Sequence, residues 1–227
     1  MIIHDDSKQN NSEFPPEVGA CYGNGMSKMS KNFLDLLLIT IVVFIIGIPS
    51  WIGTTVTSWT DPFGLWGLFE FFYSLLVTGP LGFGVMYAYL KAARGEKPEI
   101  NDLLKVLENY WNVLLAYIIS GIIIFIGFIL LIIPGIIFAC KLSFVPYLVI
   151  DKKMDAVAAI QESWRLTNGY ALTVFVIALL AIPISIGGFL LFGVGIILAQ
   201  MWIGLSFASL YHAVISRMNP ELSAISP

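Results

Sequence analysis

The sequence predicts an all-α fold: a polytopic membrane bundle of six transmembrane helices, with two amphipathic helices lying at the cytoplasmic interface. Of 227 residues, 58% are hydrophobic and only 12% charged, against roughly 45–50% and 25% in an ordinary soluble domain. The charges are also segregated. They leave uncharged runs at Leu36 to Thr60, Phe71 to Leu90, Asn109 to Cys140 and Leu166 to Ser216, each long enough for the roughly 20 residues that a helix needs to cross a bilayer. Finally, all but one of the twelve Lys and Arg residues sort to one side of the membrane.

Taken in order, the first two runs give spans at Phe33–Ile52 and Pro62–Leu90. The third continues past Lys141 to Ile150, and its 42 residues would extend ~63 Å as one helix, twice the ~30 Å hydrocarbon core. It must fold back, and Pro134-Gly135 is the place equipped to break a helix, giving spans Asn112–Ile133 and Gly135–Ile150. The last run holds 51 residues and must cross twice. A turn at Gly187-Gly188 or Gly193-Val194-Gly195 gives Ala171–Ile186 and Phe189–Ile215.

Basic residues resist translocation and mark the cytoplasmic loops. Lys8, Lys28 and Lys31 precede the first span; Lys91, Arg94, Lys97 and Lys105 follow the second; Lys152, Lys153 and Arg165 follow the fourth; Arg217 follows the sixth. The opposite connections carry none. Both termini are therefore expected in the cytoplasm, with Lys141 the exception. Residues 1–30 read as a disordered cytoplasmic tail, 31–217 as the membrane domain and 218–227 as a short cytoplasmic tail. The string Val18-Gly19-Ala20-Cys21 lacks the upstream apolar core of a secretion signal.

The two inner loops each carry a helical stripe. In one, Ile100, Leu103, Leu104, Leu107, Tyr110 and Trp111 recur at helical spacing; in the other, Val157, Ile160 and Trp164 do. Both predict short interfacial helices, anchored at head-group depth by Trp111 and Trp164.

Pro134-Gly135-Ile136-Ile137, then Phe144-Val145-Pro146-Tyr147-Leu148-Val149-Ile150-Asp151, then Ala158-Ala159-Ile160-Gln161-Glu162-Ser163-Trp164-Arg165-Leu166-Thr167-Asn168-Gly169-Tyr170 resemble a group of bacterial integral membrane proteins. That group includes the membrane domain attached to some glycerophosphodiester phosphodiesterases. The resemblance covers roughly Gly79 to Arg217 and implies a six-span protein of the bacterial inner membrane. It does not imply the phosphodiesterase reaction, whose catalytic barrel is a separate domain of ~250 residues. The family often carries arginine near Lys141, so the lysine is a departure.

Candidate chemistry is sparse. The two histidines are His4, in the tail, and His212, which reads as an interfacial hydrogen-bonding residue. No HExxH, GxSxG, paired-cysteine motif or phosphate-binding glycine loop appears. Cys21 and Cys140 have no metal-ligand spacing. No catalytic residue, metal or cofactor is therefore expected, and the net charge of −3, without a basic aromatic patch, points to no nucleic-acid partner. Asp102, Glu108, Asp151, Asp155 and Glu162 alternate with basic residues and read as solvated faces and helix caps. Gly79, Pro80, Gly82, Gly84, Pro146 and Pro183 read as packing devices.

The sharpest signal is polar residues inside spans. Glu70, Lys141 and Gln200 all fall roughly 9–12 Å below the outer surface. A charge at a helix centre costs ~2.5–3.5 kcal/mol on insertion scales, so such residues face the bundle and pair. The expectation is that Glu70 neutralises Lys141 and Gln200 completes the hydrogen bonds. Two functions fit: a non-enzymatic membrane protein binding lipid or a membrane-protein partner, in envelope or transport support, or a small-solute or lipid transporter with the Glu70–Lys141 layer in its path.

Overall fold

The computed structural model describes residues 14–57, 64–190 and 194–218. All their regular structure is helical: α1 (Val18–Lys31), α2 (Phe33–Thr57), α3 (Leu65–Tyr73), a π-helical turn (Ser74–Thr78), α4 (Gly79–Arg94), α5 (Asn101–Glu108), α6 (Tyr110–Leu130), α7 (Ile132–Lys141), α8 (Val145–Asp151), α9 (Ala156–Leu166), α10 (Ala171–Leu190) and α11 (Val194–Met218). Five stretches are long and apolar enough to cross a membrane, and α1 with α2 makes a sixth if that bent pair is counted as one span. The protein is a polytopic helical membrane bundle. Its apolar residues are turned outward where a soluble protein would bury them: Leu131, Ile132 and Ile133 are each about seven-tenths exposed, which only a hydrocarbon solvent makes favourable.

One predicted turn moves, and one of the two alternatives for another is excluded. The α6–α7 hairpin turns at Leu131, whose backbone is extended, and not at Pro134-Gly135. Pro134 instead lies in the first turn of α7, where a missing amide leaves no hydrogen bond unmade. Gly135 lets the two arms close: a Cβ on Gly127 would come within 2.9 Å of its Cα. Likewise α10 runs on through Gly187 and Gly188 to Leu190, so the last hairpin is not at that pair. Gly188 packs its backbone against the Gly195 carbonyl.

The expected disordered tail is corrected over Val18–Lys31, which is helix α1; residues 1–13 and 219–227 lie outside the described residues. α1 meets α2 at 92° and docks on α11, α10 and α4. Cys21 is fully buried. Tyr22 donates to the Ile177 carbonyl and accepts at its own carbonyl from Trp202, both at 3.0 Å. Asn24 donates to Ser209 at 2.8 Å. Gly25 lies so near Ser206 that a Cβ would sit 3.0 Å from its hydroxyl.

One end of the bundle is tied by charge. Arg94, the last residue of α4, grips Asp151, the last of α8, through two hydrogen bonds of 2.6 and 2.8 Å, and Lys152 approaches the same carboxylate at 3.3 Å. Lys91 pairs with Asp102 of α5 at 3.0 Å. Asp151 and Asp102 are buried, so these two acids are structural ion-pair partners and not the solvated faces expected. Glu108 and Glu162 fit that expectation better, pairing with Lys153 and Arg165, and Asp155 caps α9 by accepting from Val157 and Ala158. Lys153 holds the exposed Glu108 carboxyl below its ordinary pKa by hydrogen bond and charge.

Candidate functional site

Lys141 has a partner, and it is not Glu70. Its Nζ donates to Asn168 Oδ1 at 2.8 Å and lies 5.7 Å from the Trp164 ring centroid. With the hairpin turning at Leu131, Lys141 lies ten residues along α7 and ends it, ~15 Å from the turn at 1.5 Å per residue. A cation at a helix C-terminus meets carbonyls that have no intrahelical donor. The fourth span is broken here, at Leu142–Phe144, and α9 repairs the break: Ser163 Oγ donates to the Lys141 carbonyl at 2.7 Å and accepts from the Phe144 amide at 3.3 Å. Glu70 is half-buried in α3, with no hydrogen bond or ion pair from its carboxylate among the described residues. The expected Glu70–Lys141–Gln200 layer is not assembled.

The interfacial anchors differ from each other. Trp111 is 74% exposed and continues an outward apolar face with Leu104 and Leu107, while Leu103 and Val106 pack inward. Gly84 makes that docking close, since a Cβ there would strike the Leu103 carbonyl at 2.7 Å. Trp164 instead lies over the bundle, its ring 5.7 Å from Phe138 and beside Lys141.

Gln200 leads to the concave site. It lines a recess of about 670 Å³ between α2, α4, α6, α8 and α11, within the ~300–1,000 Å³ of typical ligand pockets. Leu142, Ser143 and Pro146 at the break in the fourth span contribute to its wall, and no lining residue is charged. Glycines of α4, α6 and α11 in and beside this recess act in two ways. Gly79 and Gly204 leave notches filled by tyrosine rings, a Cβ at either coming within 2.5 Å or less of Tyr117 and Tyr89 respectively. Gly82 and Gly121 line the recess and have nothing within 4 Å of a Cβ position, so their missing side chains are open volume.

A π-helical turn, Ser74–Thr78, leads into Gly79 and α4. Pro80 cannot donate to the Leu76 carbonyl four residues back, and Tyr110 donates to that carbonyl instead at 2.8 Å. π-Turns inside helices are frequent at functional sites. On the recess wall the Tyr117 and Gln200 side chains make no hydrogen bond among the described residues, while Ser120 Oγ is buried away from the recess surface, also without a partner. Among those residues no three His, Cys, Asp or Glu side chains converge on a metal position. Sequence reading found Gln200 by its polarity; Ser120 and Gly121 carry no signal that separates them from ordinary small residues in a span.

No family model, curated protein or solved structure matches the chain.

Proposed function

We propose that this is a non-enzymatic protein of the bacterial inner membrane, with both termini cytoplasmic, that holds a membrane lipid in the recess between α4, α6, α8 and α11. The observation that carries the reading is an uncharged cavity of about 670 Å³ inside an apolar bundle, where the surrounding solvent is itself lipid. Filling it from within tests this. Gly82→Leu and Gly121→Leu place side chains in open space and remove helix-destabilising glycines, so the variants should fold. Native mass spectrometry of protein extracted from its own membranes should show a bound lipid on the wild type that both variants lack. Equal lipid retention overturns the reading. Orientation is tested separately, since Leu131→Cys should react with an impermeant external thiol reagent and Lys153→Cys should not.

Transport is the second reading, favoured by the broken span at Leu142–Phe144 on the recess wall; discontinuous helices shape binding sites in transporters. Its path would not use Glu70 or Lys141, since neither lines the recess. Movement of a fluorescent lipid across proteoliposomes that Gly121→Leu blocks would favour it. No movement would leave holding, without transfer.

A further inference from the structure

We infer a separate lipid site at head-group level: the cleft between the start of α2 and the α4–α5 connection takes the head of phosphatidylethanolamine, whose acyl chains lie down α2. The cleft holds about 380 Å³, within the ~300–1,000 Å³ of ligand pockets. Asp35 and Leu38 of α2 form one wall, and Lys97, Glu99 and Ile100 form the other. Charges of both signs therefore stand beside exposed apolar side chains. The site shares no residue with the central recess and does not depend on what fills it.

The charges of the cleft are largely unspent. Lys97 Nζ stands 3.8 Å from Asp35 Oδ1, with side chains 70% and 39% exposed, a contact too long for a hydrogen bond and of little worth at a wet surface. The Glu99 carboxylate makes no hydrogen bond or ion pair among the described residues. Asp102, three residues on, shows the alternative: it accepts from Lys91 at 3.0 Å and from the Glu99 amide at 2.7 Å. That second bond, with the fixed φ of Pro98 before it, holds the wall that carries the unclaimed carboxylate.

Position selects an amphiphile. Asp35 is the third residue of α2, just past the 92° bend from α1, where the helix leaves the interface. Leu38 lies almost one turn deeper, and Ile41 and Ile45 continue its exposed stripe at the i, i+3, i+7 spacing of one helix face. A lipid laid here meets charge at its head and hydrocarbon along its chains.

Two carboxylates and one lysine call for a head with a cation and an anion. An ethanolamine phosphodiester supplies both: its ammonium, like that of lysine, has three N–H donors for Asp35 and Glu99, and its phosphate takes Lys97. Choline carries the same charge with no N–H to give. Phosphatidylglycerol brings the anion alone and meets two carboxylates.

The test counts lipid on the full chain by native mass spectrometry, after exchange into nanodiscs of phosphatidylethanolamine, phosphatidylcholine and phosphatidylglycerol with identical chains. Wild type should retain phosphatidylethanolamine over the other two. Asp35→Asn/Glu99→Gln changes no fully buried side chain and should weaken that retention about tenfold, the loss of about one charge-assisted hydrogen bond. Lys97→Gln should weaken it less, and Gly121→Leu, which fills the other cavity, should leave it unchanged. Equal retention of phosphatidylethanolamine by wild type and the double variant overturns the inference, as does equal retention of phosphatidylethanolamine and phosphatidylcholine by wild type. If phosphatidylethanolamine is lost on Gly121→Leu and kept by the double variant, it sits in the central recess: this inference falls and the recess reading stands. Glycerophosphoethanolamine carries the head without the chains, and binding of it as tight as the lipid would make the cleft a site for a soluble ligand and overturn the lipid assignment.

Discussion

At one end of the bundle Arg94, Asp151 and Lys152 present side chains that are 9%, 0% and 2% exposed, packed beside Tyr211, which stacks on Tyr147 at 4.8 Å. A few helical turns away, Gly82 and Gly121 face open space and Ser120 keeps an unused hydroxyl. The first region spends its polar groups on one another. The second withholds them. Buried charge survives only where every partner is in place, so the charged end has to be tight; a recess for a ligand needs volume and unclaimed hydrogen bonds, so it has to be loose. α4 and α8 run through both regions. The ion pair at their ends fixes them to each other.

The largest effect expected from breaking this arrangement is at Asp151. Asp151→Ala leaves Arg94 and Lys152 facing each other in a buried site, and removing one partner of such a pair typically costs ~3–5 kcal/mol. Thermal unfolding in detergent should fall accordingly. Arg94→Met/Asp151→Leu/Lys152→Met should recover much of the loss, because replacing all members of a buried ionic cluster by apolar groups is often close to neutral. A triple variant as unstable as the single would mean that the ionic cluster does not hold the two helices.

Next in size are the notches. Gly204→Leu drives a side chain into the space of the Tyr89 ring, and overpacking of this kind costs ~1–3 kcal/mol. Gly121→Leu is the control in the same recess. It should be neutral or stabilising, by up to ~1 kcal/mol from helix propensity, while removing bound lipid. Equal destabilisation by the two would show that the recess is not open at Gly121.

Much of the charged end is legible as chemistry but not as contact. The span boundaries follow from hydropathy, and Arg94 and Asp151 are visibly flanking residues; that they meet across 57 positions is a fact of packing that no local pattern encodes. α1 is missed for a different reason. Its polar and glycine-rich sequence resembles a linker, but Gly25 is there because Ser206 needs the space, and Tyr22 and Asn24 are polar because they bond to α10 and α11. The hairpin at Leu131 is missed because proline is read as a breaker when it can equally begin a helix. That three-residue shift also moves Lys141 away from the depth at which Glu70 would meet it.

The smallest effect belongs to Lys141. If it were half of a membrane-buried pair, Lys141→Met alone would cost as much as Asp151→Ala, and Glu70→Leu would suppress that cost. Its actual partner, Asn168, is neutral, and the bond between them is solvent-facing. Exposed polar contacts of this kind contribute ~0–1 kcal/mol. The helix terminus adds ~0.3–1 kcal/mol of attraction for the cation, and methionine keeps the apolar stem against Trp164. Lys141→Met should therefore lower stability by no more than about 1–2 kcal/mol. Glu70→Leu should act independently, the double variant equalling the sum of the singles within ~0.5 kcal/mol, as for residues without shared partners. Asn168→Ala should reproduce part of the lysine effect and be non-additive with it. Coupling of Lys141 to Glu70 in that cycle, with none to Asn168, would restore the intramembrane pair and bring charge back into the loose half of the bundle.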